Sequence, residues 1–233
     1  MPEAPRARKR RKRKGKKYKA SVPRTLGNNT NLYKYKAVMT PLPSTQKVML
    51  KYSDFLSFTP NGAPTNYIYS CNNLYDPNVT GVGHQPRGFD QLMALYDHFV
   101  VISAVAEVTF YNGTALPMVC GLMIDDNAGS VTDNAGFFED SDSVYKVSAP
   151  TGEGGSIVTL RRHVNPNKWL GRSHPLSDPE LKGSASVGPT EQCYFNIWTN
   201  ALAGDTAQTD SITANIIITY VAMLIEPKDV TGS

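Results

Sequence analysis

The sequence predicts an all-β fold, an eight-stranded double-sheet jelly roll with one short helix and a disordered basic N-terminal arm. Three observations carry this expectation. Segments of alternating apolar and polar residues recur eight times, turn formers separate them, and basic residues crowd the first 24 positions of 233.

The period-two pattern is clearest in Lys47 to Ser53, where Val48, Leu50 and Tyr52 face one way and Lys47, Lys51 and Ser53 the other, as a half-buried strand requires. Similar runs are Tyr67 to Tyr75, Val100 to Tyr111, Pro117 to Ile124, Val144 to Ser148, Ser156 to His163, Gln192 to Asn200 and Ile212 to Ile225. Between them stand Pro60-Asn61-Gly62, Asn112-Gly113, Asp125-Asp126-Asn127, Gly152-Glu153-Gly154-Gly155, Asn165-Pro166-Asn167 and Ala203-Gly204-Asp205. Such punctuation opposes long helices. The exception is Gly88 to Phe99, where Phe89, Leu92, Met93, Tyr96 and Phe99 fall at spacings of three and four and outline the short amphipathic helix. A jelly roll is one of the few all-β solutions that limits open edges at this size. An immunoglobulin-like sandwich would be nearer about 100 residues.

Residues 6 to 19 hold 11 Lys or Arg in 14 positions and no acid. Residues 1 to 24 hold 12 of the 24 basic groups and one of the 20 acids, Glu3, a charge of +11; the remaining 209 residues carry 12 basic and 19 acidic groups, a charge of −7. Like charges at this density keep a segment extended until a polyanion neutralises them. Small and polar residues with Pro23 and Gly27 continue as a linker. The expected division is residues 1–31, arm and linker, and 32–233, a shell domain. Guanidinium and ammonium groups on such a chain bind nucleic-acid phosphates by releasing counterions, almost independently of base sequence. The candidate nucleic-acid-binding residues are Arg6, Arg8, Lys9, Arg10, Arg11, Lys12, Arg13, Lys14, Lys16, Lys17, Lys19 and Arg24, with Tyr18 available to stack on an unpaired base. Tyr33 and Tyr35 either stack as well or begin the first strand. Lys9, Arg10, Arg11, Lys12, Arg13, Lys14, Lys16 and Lys17 also fit a nuclear-import signal, which importin grooves read in extended conformation.

Other functions find little support. No run of 18 apolar residues exists, so no transmembrane helix is expected; the longest run, near Phe99 to Ala106, contains Ser103. The basic start continues to Lys19 without the apolar stretch of a secretory signal or the apolar helix face of a mitochondrial presequence. Cys71, Cys120 and Cys193 are far apart in sequence and odd in number, which suits buried reduced thiols. The sequons at Asn28, Asn78 and Asn112 are then chance matches. None of His84, His98, His163 and His174 has an acid two residues on, as a cupin-type metal site needs, and the cysteines lack zinc spacing. Asp125-Asp126-Asn127 with Asp133 lacks the glycine and final Glu of a calcium loop, and is a solvated turn unless acidic loops share a cation between subunits. No nucleophile elbow and no phosphate-binding glycine loop occurs. The chain is expected to be no enzyme and to hold no cofactor or metal. Two further placements stay open. Tyr194 and Trp198 alternate with Phe195 and Ile197, so one set leaves the core and either anchors an interface or lies under a loop. Arg161 and Arg162 either line an inner surface or end a strand in solvent.

The stretch Gly83-His84-Gln85-Pro86-Arg87-Gly88-Phe89-Asp90-Gln91-Leu92-Met93-Ala94-Leu95-Tyr96-Asp97-His98-Phe99 resembles the Gln-Pro-Arg-Gly-Phe-Asp-Gln segment of capsid proteins from circovirus-like, Rep-encoding circular single-stranded DNA viruses. The likeness is specific within residues 85 to 99 and elsewhere rests on architecture and length. It implies a jelly-roll subunit, a 60-copy icosahedral shell, single-stranded DNA as cargo, import through host importin, an attachment factor on the host and no membrane insertion. The competing expectation is a cellular oligomeric β-sandwich nucleic-acid-binding protein or chaperone with a basic tail.

Overall fold

The computed structural model describes residues 41–59, 63–129, 134–151, 156–202 and 211–229. The boundary expected at residues 31 and 32, and the turns expected at 60–62, 152–155 and 203–205, lie outside them.

Eight strands follow one another: β1 (Thr45–Phe58), β2 (Thr65–Ser70), β3 (Tyr96–Asn112), β4 (Met118–Asp125), β5 (Ser143–Ser148), β6 (Ile157–Val164), β7 (Tyr194–Ala201) and β8 (Ile212–Pro227). All eight segments expected from period-two patterning are strands. They form two sheets, ordered β1-β8-β3-β6 and β2-β7-β4-β5. Each of the first four strands pairs antiparallel with its mirror in sequence order: β1 with β8, β2 with β7, β3 with β6 and β4 with β5. This is the pairing of one long hairpin rolled on itself. Lateral pairing of β3 with β8 and β4 with β7 completes the sheets. The result is a jelly roll.

The core is the space between the sheets. From β8, alternate residues Ile212, Ala214, Ile216, Ile218, Tyr220, Ala222 and Leu224 point into it, and Tyr52, Phe58, Val108, Phe110, Leu122, Phe195 and Ile197 meet them from other strands. Burying one such side chain contributes about 1.5–3 kcal/mol. In β3 the alternation changes phase. Phe99 and Val101 point inward before the register shift between Val101 and Ser103, and Ala104, Ala106 and Val108 after it. The extra residue of a β-bulge does this, and it explains the unbroken apolar look of Phe99 to Ala106.

The expected helix over Gly88–Phe99 is shorter in the structure. Helix α1 spans Phe89–Met93, and β3 starts at Tyr96, because from there the backbone pairs with β8. Gly88, at φ 89°, supplies the left-handed entry, and Phe89 packs edge-on against Phe99 at 5.5 Å. Two further short helices, α2 (Asn134–Glu139) and α3 (Pro166–Trp169), and a 3-10 turn at Pro179–Leu181 accompany it. The start of α3 carries ordinary cap chemistry: the Asn165 side chain accepts from Lys168 N at 3.2 Å, with Pro166 at the first position. The second expected strand also ends early. After Ser70 the chain turns, with Asn73 Oδ1 accepting from the backbone N–H groups of Tyr75 and Asp76.

Two local constraints are testable. Gly121 on β4 stands opposite Trp198 on β7, and a Cβ there would lie 2.0–2.3 Å from the indole ring. Only glycine lets the indole lie flat over the sheet, where Phe137 of α2 stacks on it at 4.4 Å. Elsewhere, Tyr69 and Tyr52 donate to the Asp54 carboxylate at 2.8 and 3.2 Å, joined by Asn78 at 3.3 Å, and Tyr220 donates to Ser70 O at 2.7 Å. Burial, reinforced by Asp54, holds the phenols of Tyr52 and Tyr69 above the usual tyrosine range, and burial does the same for Tyr220.

Gly121→Val should lower stability by about 3 kcal/mol through overpacking, read as an earlier urea midpoint with weakened near-ultraviolet dichroism; an unchanged midpoint would contradict the packing described. The raised phenols make stability contributions that persist through neutral pH and disappear as pH climbs past the unfolded tyrosine value of about 10 toward the folded values. In an alkaline absorbance titration, fewer than the 12 tyrosines should ionise while the protein stays folded, the rest appearing together with unfolding. Smooth ionisation of all of them from the folded state would refute the buried network.

Candidate nucleic-acid interface

The expected nucleic-acid-binding residues, Arg6 through Lys19 with Tyr18, and Arg24, lie outside the described residues, as do the import signal, Tyr33 and Tyr35.

Most of the body's interior-facing and loop cations are consumed structurally. Arg162 pairs with Asp142 at 2.8 Å, and Trp169 Nε1 donates to the other oxygen of that carboxylate at 3.1 Å. Arg162 ties β6 to the loop before β5. Arg172 meets Asp178, Glu180 and Glu191 at 3.4, 2.5 and 3.5 Å, fastening the long segment between α3 and β7. Lys182 and His98 hold Glu226 at 2.8 and 2.9 Å, and the Lys182 hydrogen bond keeps that carboxyl below its ordinary range.

The outward face of the β1-β8-β3-β6 sheet differs. Its register places residues in rows across the four strands: Lys51, Thr219, Val105 and His163; then Ser53, Ile217, Glu107 and Arg161; then Phe55, Asn215, Thr109 and Thr159; then Ser57, Thr213, Tyr111 and Ile157. Lys47 and Met49 extend β1 in the other direction, opposite Met223 and Val221. Lys47 and Lys51 have no ion pair among the described residues, and Arg161 reaches Glu107 only at 4.0 Å with both side chains largely exposed. Met49 is 67% and Phe55 65% exposed. Arg161 is thus exposed on this face.

The outward face of the other sheet is covered around Trp198, while Tyr145 and Val147 on its edge strand β5 stand half exposed. Trp198 is fully buried beneath Phe137, with Val119 and Met123 alongside and Phe138 edge-on at 5.5 Å. It is covered by its own chain and offers no anchor to a partner. Tyr194 is half-buried, its phenol raised by burial.

Among the described residues, groups capable of chemistry are dispersed. Among the described residues no three His, Cys, Asp or Glu side chains gather as a metal site. His84 stacks on Tyr52 at 4.6 Å and contacts Ser53 O, while His163 bonds to Ser103 Oγ at 2.9 Å. Asp125 Oδ1 accepts from Asn127 N and Asp140 Oδ1 from Asp142 N, the local geometry of solvated turns. All three cysteines are buried and free. Cys71 and Cys193, distant in sequence, are neighbours in space, with Cys71 N donating to Cys193 O at 2.7 Å. Burial raises the Cys71 thiol and pushes Cys120 up to about 12, so neither is a nucleophile at neutral pH. Asn78 and Asn112 are buried in hydrogen-bonded turns and present no amide to a glycan, while Asn28 lies outside the described residues. No described helix is long and apolar enough to cross a membrane.

No family model matches the chain, and no curated protein matches it. Among solved structures, that of tobacco necrosis virus superposes with a TM-score of 0.51 at 10% identity, over 81% of this chain and 85% of that one. A 60-mer BFDV capsid protein gives 0.45 at 8% identity over 81% and 97%, and the semi-empty virus-like particle of the giant freshwater prawn nodavirus 0.46 at 10% over 93% and 98%. The first of these likenesses establishes a common fold: the jelly roll derived above from strand pairing is also that of a virus structure.

Proposed function

We propose that this chain is the coat protein of a small icosahedral virus, in which residues 32–233 tile the shell and residues 1–31 hold single-stranded DNA inside it. The observation that carries this is the segregation of charge, +11 on the first 24 residues against −7 on the rest, on a chain whose body is a jelly roll. A polycationic tether without sequence-reading architecture suits packaging, since counterion release rewards phosphate contact of any sequence. About 60 copies with 12 basic groups each would bring roughly 720 positive charges to the lumen, whose mutual repulsion a polyanion must relieve. Assembly is therefore driven by nucleic acid or assisted by high salt. The same basic block serves import into the host nucleus through importin, where assembly takes place, and loops on the outside of the shell meet the host attachment factor. The role is structural, without catalysis.

Electron microscopy of the purified full-length protein should show closed spherical particles containing nuclease-resistant nucleic acid; monomers or small rings would favour a cellular β-sandwich protein instead. Affinity for single-stranded DNA should fall with salt at a log-log slope of up to about −8, and deleting residues 1–24 should remove most of it. A deletion variant that keeps the slope of the intact chain would defeat the packaging role.

A further inference from the structure

We propose that the outward face of the β1-β8-β3-β6 sheet is a second nucleic-acid contact, a platform on which single-stranded cargo lies after the arm has captured it. The proposal rests on the packaging role above and assigns that role a surface on the folded body.

Charge complementarity comes first. In a body of net negative charge, Lys47, Lys51 and Arg161 share one face with a single carboxylate, Glu107, while Arg162, Arg172 and Lys182 elsewhere are taken up by short ion pairs. Lys47 and Lys51 stand four residues apart on β1, about 13 Å, and Phe55 continues the same line at the same interval.

Aromatic exposure comes second. Phe55 stands largely free on this face, and Tyr111 lies partly exposed one row further and two strands across. A sheet with outward aromatics among cations is a surface on which unpaired bases stack while phosphates find the lysines. Between the aromatics lie short hydroxyl and amide side chains, Thr213, Asn215 and Thr109, which leave the rings standing clear. A second copy of the chain fits less well, because lysine is depleted from the cores of protein–protein interfaces and here occupies two of the exposed positions of the edge strand.

The test uses the full-length chain, oligo(dT) as probe, and the variants Lys47→Gln/Lys51→Gln, Phe55→Ser and, as control, Arg87→Gln/Lys168→Gln. All these side chains are exposed, so the fold should survive each change. The lysine pair variant should lose about 1.4 from the magnitude of the log-log salt slope, two single-strand phosphate contacts, with the control unchanged. Phe55→Ser should weaken binding about tenfold. Ultraviolet crosslinking of the wild type to oligo(dT) should mark peptides containing Phe55 or Tyr111. Crosslinks confined to residues 1–24, with a slope unaltered in the lysine variant, would overturn the platform and leave the packaging arm standing. Loss of particles with unaltered oligonucleotide binding would make the face a subunit contact and likewise overturn it. If the wild type showed no salt-dependent binding at all, the packaging role itself would fall.

Discussion

Everything in this subunit depends on β8. It lies between β1 and β3, pairs with both along nearly its whole length, and sends seven side chains from Ile212 to Leu224 into the core. β1 is separated from it by most of the chain, so this sheet closes only when strands far apart in sequence meet. The mirror pairing of the remaining strands follows from that closure. One consequence is a low tolerance for register error, because a slip of one residue along β8 would turn Ile212, Ile216 and Ile218 outward and Thr213 and Thr219 inward.

Closure by opposite ends of the chain also decides where the two faces of the molecule differ. On the sheet around β4 and β7 Trp198 is covered by Phe137 and Phe138, and its glycine at 121 exists to admit the indole. On the sheet around β8, Leu181 covers Val100 and Ile225 at one end, while Met49 and Phe55 stand exposed along β1, the edge strand. Strand and arm are continuous in sequence, so cations on the arm and cations on the edge strand belong to one polar tract interrupted by a linker. Five of the body's acidic groups, Asp142, Asp178, Glu180, Glu191 and Glu226, hold Arg162, Arg172 and Lys182.

Much of this architecture was legible in the sequence, for a physical reason. Strands buried on one side must alternate, and β1, β6 and β8 do so plainly; the turn formers between them supplied the rest. Legibility failed where tertiary contacts overrule local pattern. Tyr96 and Phe99 sit at helical spacing from Phe89 and Met93, yet pairing with β8 draws them into β3. The cover over Trp198 comes from a six-residue helix around Phe137, too short to show helical periodicity, so both fates of that residue looked equal. Cys71 and Cys193, read as distant, are joined by the β2–β7 pairing, which no spacing announces. The Asp54 cluster collects Tyr52, Tyr69 and Asn78 from separate segments, and only the fold brings them together.

The central claim is quantitative: phosphate in the particle should be counted against cations on the arm. Phosphorus analysis of purified particles, normalised to protein, should give on the order of 12 or slightly more phosphates per subunit, and the ratio should drop in proportion when arm lysines and arginines are replaced by glutamine. A ratio near zero, or one indifferent to those replacements, would contradict the account.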